Sequence, residues 1–107
     1  MTEQKKTRRQ MLEEYVATKP DDAFSRYGLA MECMNSGDAS SANEHFRALL
    51  AGNADYVPAY LMYAQMLTRE ARHEEARQVL STGMAAAERK GDQHARSEME
   101  TLLAEIG

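Results

Sequence analysis

The chain has 107 residues, enough for one small domain that buries roughly 65% of the surface its unfolded form exposes. An apolar fraction of 43%, six glycines, two prolines and a net charge of −4 describe a folded, mostly helical protein. They argue against nucleic acid or an anionic membrane as the main target. The lone Cys33 excludes an internal disulfide and points to a reducing, cytoplasmic setting, and no apolar run approaches the 18 or so residues that cross a bilayer.

Read from the N-terminus, Met1 to Lys6 is basic in character but has no apolar core behind it, so it does not read as a secretory signal. Punctuation and periodicity then predict six helices. The first spans about 3–18, with Met11, Leu12, Tyr15 and Val16 as a one-sided stripe, and Pro20 stops it. Asp21 or Asp22 caps a second helix that runs to about Ser36 and buries Leu29, Ala30 and Cys33. Gly37 supplies a left-handed turn, and Asp38 is the next N-cap.

The third helix, about 39–51, carries Ala42, Phe46, Leu49 and Leu50 at helical spacing and ends at Gly52-Asn53. Asp55 opens a fourth, with Pro58 in its first turn where a missing N–H costs little. Tyr60, Leu61, Tyr63, Ala64 and Leu67 follow on that helix. The next turn, Glu70-Ala71-Arg72-His73, lacks a glycine. A fifth helix over about 74–90 presents Ala76, Val79, Leu80 and Met84, and Gly91-Asp92 stops it and caps the next. The last, about 93–106, gathers Met99, Leu102, Leu103 and Ile106 on one face. No segment alternates with period two for long enough to be a strand.

These helices repeat. At a shift of thirty-four residues Leu12 falls on Phe46 and Leu80, Leu29 on Tyr63, Ala30 on Ala64, Cys33 on Leu67, and Ala42 on Ala76. A fixed period of this length marks a protein built from stacked supersecondary units. The residue types fit that reading. Alanines allow two helices to approach closely, and a larger side chain there would cost about 1–3 kcal/mol by overpacking. Phe46 and Leu80 are the large knobs, whose truncation to alanine would cost roughly 2–5 kcal/mol.

The same residues carry a resemblance. Arg26-x2-Leu29-Ala30-x2-Cys33 followed by Ala42-x3-Phe46, and Tyr60-x2-Tyr63-Ala64-x2-Leu67 followed by Ala76-x3-Leu80, are similar to the W-x2-L-G-x2-Y…A-x3-F…P pattern of tetratricopeptide repeats. The chain therefore resembles that family over about residues 8–90, without its tryptophan and with the terminal proline only at Pro20. The resemblance implies an all-α, right-handed superhelix in a single domain spanning 1–107. Its parts are a half-repeat helix (3–18), repeats at 22–52 and 56–90, and a capping helix (93–106). Ser97, Glu98 and Thr101 set that last helix outside the repeat register.

By the same resemblance, Phe24, Tyr27, Met31 and Asn35 face a concave groove in one repeat, and Pro58, Leu61, Gln65 and Arg69 in the next. The family clamp for acidic chaperone tails needs Lys and Asn where this chain has Tyr27 and Met31, or Leu61 and Gln65 one repeat later. That ligand is excluded, and an apolar or amphipathic protein segment fits better. The surface has two readings: an open groove that binds a peptide or helix of another protein, or a face covered by a terminal helix or by a second copy in a homo-oligomer.

Other chemistry is weakly represented. His45, His73 and His94 have no i, i+4 partner His and no second ligand motif, so no metal or cofactor is expected. Cys33 reads as a buried, unreactive thiol, and no phosphate loop, nucleophile elbow or paired-carboxylate motif appears. The basic cluster Lys5, Lys6, Arg8, Arg9 has only Tyr15 near it for stacking, and a solvated helix end explains it better than RNA. The reading is a non-enzymatic protein-interaction module with no nucleic-acid or membrane partner.

Overall fold

The computed structural model describes residues 5–107. Six α-helices follow one another: α1 (Arg8–Thr18), α2 (Ala23–Asn35), α3 (Ala39–Gly52), α4 (Val57–Arg69), α5 (His73–Lys90) and α6 (Gln93–Ile106). No strand occurs among the described residues. The helices fall into two compact units that divide between Gly52 and Asn53. In the first, α2 packs on α3 and α1 on α2; in the second, α5 packs on α4 and α6, and α6 also reaches α4.

The expected helical start at Glu3 lies outside the described residues, as does most of the stretch from Met1 read as a non-signal. Among those described, Lys5, Lys6 and Thr7 are not helical, and α1 begins at Arg8. Thr7 fixes this boundary through a capping box. Its hydroxyl accepts the Gln10 N–H at 3.1 Å, and the Gln10 side chain accepts the Thr7 N–H at 2.9 Å. Asp22, Asp38 and Asp92 accept the N–H groups of Ser25, Ser41 and Ala95 at the starts of α2, α3 and α6.

Asp55 does not cap α4, contrary to expectation. Tyr56 stands at that N-cap without a side-chain bond. Pro58 has no N–H to satisfy, and Ala59 donates to the Tyr56 carbonyl at 3.2 Å, so a side-chain acceptor is dispensable there. The Asp55 carboxylate instead receives two bonds from the Arg89 guanidinium, at 2.7 and 3.1 Å.

Helix exits repeat one device. At Gly37 and Gly91 the chain turns through φ 84° and 70°, and the following N–H returns to a carbonyl five residues back, Asp38 to Cys33 and Asp92 to Ala87. Ala71 does the same at φ 60°, with Arg72 bonded to Leu67 at 2.8 Å. The glycine-free turn thus adopts glycine geometry, at a steric cost of about 1 kcal/mol.

Each unit has its own core. Val16, Leu29, Ala30, Cys33, Ala42, Phe46 and Leu49 are buried in the first unit. Tyr60, Tyr63, Ala64, Leu67, Ala76, Leu80 and Met99 are buried in the second, where the Tyr60 hydroxyl donates to the Ala54 carbonyl at 2.6 Å. The expected stripe on α1 is only partly covered. Val16 is buried and Leu12 half-buried, but Met11 and Tyr15 remain 53% and 46% exposed. Among the described residues α1 packs only on α2, so one flank of its stripe has no cover.

In the second unit the helices approach closely at Gly83. A Cβ built there would lie 2.5 Å from the Tyr60 Cβ and 2.7 Å from the Met99 sulfur. Gly→Ala inside a helix ordinarily gains about 1 kcal/mol of propensity. Here overpacking outweighs that, so Gly83→Ala should lower unfolding free energy by about 1–3 kcal/mol in a urea titration. Ala71→Gly should move the other way, raising it by up to about 1 kcal/mol as the left-handed strain is relieved.

Candidate functional site

Residues 8, 11, 12 and 15 lie on one face of α1, and residues 24, 27, 28, 31 and 35 on one face of α2, by helical spacing. The two faces form the walls of a trough of about 690 Å³ within the first unit. Phe24, Tyr27, Met31 and Asn35, the four groove positions expected in the first repeat, all line it. On its floor the Leu12 Cδ2 lies 3.6 Å from where a Cβ of Gly28 would sit, so the small residue leaves depth between the helices.

The trough is apolar with a polar rim. Phe24 is 77% exposed, and with Met11 and Tyr15 it completes the set of exposed large apolar side chains among the described residues. All three line the same trough. Arg8 stands 3.3 Å from Glu32 at its edge, and the Lys19 ammonium lies 5.8 Å from the centre of the Tyr15 ring. Asp22 also lines the trough, where the Ser25 hydroxyl and N–H hold its carboxyl below the usual carboxylate value.

The second set of expected positions lies in the second unit. Leu61 and Gln65 of α4 line a smaller cleft of about 230 Å³ with Glu98, Thr101, Leu102 and Glu105 of α6. Arg69 lies in the last turn of α4, exposed, and outside that cleft. Pro58 borders a separate concavity with Asp55, Tyr56, Val57, Lys90, Gly91 and Asp92.

The sequence places Met11, Leu12 and Tyr15 on a one-sided stripe of the first helix and does not include them among the groove positions. Their helical stripe was visible, but a stripe does not tell a buried face from an open one. The basic cluster, by contrast, is largely spent on local acids. Lys6 pairs with Glu14 at 2.6 Å, Arg8 with Glu32, and Arg9 with Glu13 at 3.3 Å and Asp38 at 3.0 Å. Bonds from Ser41 and then Arg9 hold the Asp38 carboxyl below its ordinary value.

Among the described residues no three His, Cys, Asp or Glu side chains are grouped to hold a metal ion. Burial pushes the fully enclosed Cys33 thiol up, which disfavours its nucleophilic thiolate. No helix among the described residues is long and apolar enough to cross a membrane.

Helix pairs of thirty-four-residue period, with buried alanines at matching positions, agree with comparison to known proteins. The sequence pattern of the tetratricopeptide repeat matches residues 34–106. The chain belongs to the tetratricopeptide repeat family. It is 28% identical over 95 residues to TPR repeat-containing protein PA0015 of Pseudomonas aeruginosa, an alignment covering 89% of this chain and 90% of that one. Its fold is similar to the solution structure of a tetratricopeptide repeat domain protein from Salinibacter ruber. There the TM-score is 0.77 at 30% identity, over 81% of this chain and 88% of that one. It is likewise similar to protein BPP2914 from Bordetella parapertussis, with a TM-score of 0.81 at 25% identity over 95% of this chain and 89% of that one. Tetratricopeptide repeats are in general non-enzymatic scaffolds for protein–protein interaction. The family match extends through α6, the helix whose sequence departs from the repeat register.

His45 gives the first unit of this repeat protein a pH dependence. Arg26 on α2 approaches the His45 Nδ1 on α3 at 3.3 Å, and also donates to the Pro20 carbonyl at 3.3 Å. Burial, and then the Arg26 charge, push the His45 pKa below its ordinary 6.5. The unfolded chain therefore binds this proton more readily. The stabilisation is complete above about pH 6.5 and is lost as pH falls below it. The lowered Asp22 and Asp38 act in a separate, more acidic window below about 3.8. In urea titrations at stepped pH, wild type should lose stability below pH 6.5, and His45→Asn should flatten that first step.

Proposed function

We propose that the chain is a non-enzymatic adaptor that binds an apolar or amphipathic segment of another protein. The positions assigned to binding are Phe24, Tyr27, Met31 and Asn35 on α2 in the first unit and, taken separately, Leu61, Gln65 and Arg69 on α4 in the second. The observation that carries the reading is the gathering of Met11, Tyr15 and Phe24 around one trough. Large apolar side chains are costly to leave in water, at roughly 25 cal/mol per Å², and contiguous ones mark interaction sites. Methionine in the trough suits a surface that adapts to its ligand. The missing Lys and Asn at Tyr27 and Met31 direct the reading away from acidic chaperone tails.

The same exposed residues also support a second reading, in which a second copy of the chain covers the trough in a homodimer. One double variant separates the two. Tyr15→Glu with Phe24→Glu changes exposed positions, so its unfolding free energy should stay within about 0.5 kcal/mol of wild type. Affinity capture from the native cell lysate should retain a partner on wild type and lose it on the variant, with both sedimenting as monomers. A wild-type dimer that the variant dissociates, with no partner retained, would replace the adaptor reading by self-association.

A further inference from the structure

The thirty-four-residue period gives each position of α1 two counterparts further along the chain. One period on from Arg8, Leu12 and Tyr15 stand Ala42, Phe46 and Leu49 of α3, and two periods on stand Ala76, Leu80 and Gly83 of α5. All six counterparts are buried. In each case the preceding helix packs there, α2 on α3 and α4 on α5. Gly83 marks one such contact, since a Cβ on it would meet Tyr60 in the first turn of α4. On α1 the same face has no cover. Among the described residues α1 packs only on α2, Leu12 is half-buried, and Arg8 and Tyr15 are exposed.

The second unit shows what such cover looks like. There α4 lies on α5 and also reaches α6, so those two consecutive helices share one neighbour. In the first unit α1 and α2 are the corresponding pair, and the trough between them stands in the neighbour's place. It continues, one repeat earlier, an interface that the chain forms twice within itself. The α2 wall runs from Phe24 to Asn35, about 17 Å, which holds roughly three helical turns. With 13 residues, α4 is of similar length.

From this we infer that the trough seats one α-helix of the partner protein, amphipathic and antiparallel to α1, with a small residue facing Tyr15. The inference rests on the adaptor reading and names the ligand within it. Its direction follows from the second unit, where Tyr60 at the start of α4 meets Gly83 in the second half of α5. The small residue follows from exchange at that contact. Where α5 has a glycine and receives a tyrosine, α1 already presents Tyr15, so the docked helix needs alanine or glycine opposite it. A free segment of about three turns is marginal as a helix in water, so docking and helix formation go together.

The test is a titration of the full chain with fluorescent peptides of the α4 sequence, Val57–Arg69, which fits the equivalent face of α5. One peptide is unchanged, one carries Tyr60→Ala, and one carries Tyr60→Ala with Ala64→Pro to break the helix. On wild type the Tyr60→Ala peptide should bind about tenfold tighter than the unchanged one, with a gain in helical circular dichroism. On a Tyr15→Ala variant the order should reverse, because the tyrosine of the unchanged peptide then fills the space. The proline peptide should bind neither form. Tyr15→Glu with Phe24→Glu should abolish binding, which assigns it to the trough.

The same peptide order on wild type and on Tyr15→Ala would overturn the inference, because general apolar adhesion, or a parallel helix with Tyr60 toward Arg8, ignores Tyr15. Equal binding of the proline peptide, lost in the Tyr15→Glu, Phe24→Glu variant, would overturn the helical ligand and leave the adaptor reading standing. No binding of any peptide would also overturn the inference, and the lysate capture then decides the adaptor reading separately. A wild-type dimer that the Tyr15→Glu, Phe24→Glu variant dissociates would put a second copy in the trough and overturn both.

Discussion

How closely two helices can approach governs this fold, and here side chains of one carbon or none set that distance. Ala30 and Ala42 are fully buried where α2 and α3 pack, and Ala64 and Ala76 where α4 and α5 pack. Gly83 brings α5 so near α4 and α6 that a single methyl would enter Tyr60 and Met99. Close packing leaves room for few large, fully buried side chains: Leu29, Phe46 and Leu49 in the first unit, Leu67, Leu80 and Met99 in the second. Large apolar residues beyond that number must lie elsewhere. Met11, Tyr15 and Phe24 lie in a trough open to solvent.

The division of labour between interior and surface bears on the proposed binding. The chain's rigid parts are short helices, with aspartates capping the N-termini of α2, α3 and α6 and left-handed turns following α2, α4 and α5. Its adaptable parts are long side chains on the exposed faces of those helices. The binding proposed above would need no rearrangement of the core, only new cover for residues already in water. The Arg8–Glu32 ion pair at the edge of the trough is largely exposed and contributes little to stability.

Much of this was legible in the sequence. The thirty-four-residue register identified the helices, their order and the buried alanines, because close packing restricts those positions to small residues. Glycine and aspartate at helix ends were equally plain at Gly37-Asp38 and Gly91-Asp92. Three features were not. Thr7-x-x-Gln10 was present as a capping box, yet the first helix was expected to begin earlier, since basic residues continue a helix as readily as they precede one. Asp55 looked like a cap because aspartate usually is one before a helix; Arg89, thirty-four residues on, claims it instead. The faces of α1 and α2 posed the hardest problem. Periodicity places Met11 and Tyr15 on a face but says nothing of what lies opposite, and that depends on tertiary packing.

The account rests on the trough being open in the free chain, and methionine oxidation reads that directly. Dilute protein would be treated with hydrogen peroxide and mapped by mass spectrometry. Met11, 53% exposed in the trough wall, should be converted to the sulfoxide well before Met66 and Met99, which are 3% and 0% exposed in the core. Protection of Met11 to the level of Met99, at concentrations where the chain sediments as a monomer, would mean that the trough is covered from within and would contradict the account.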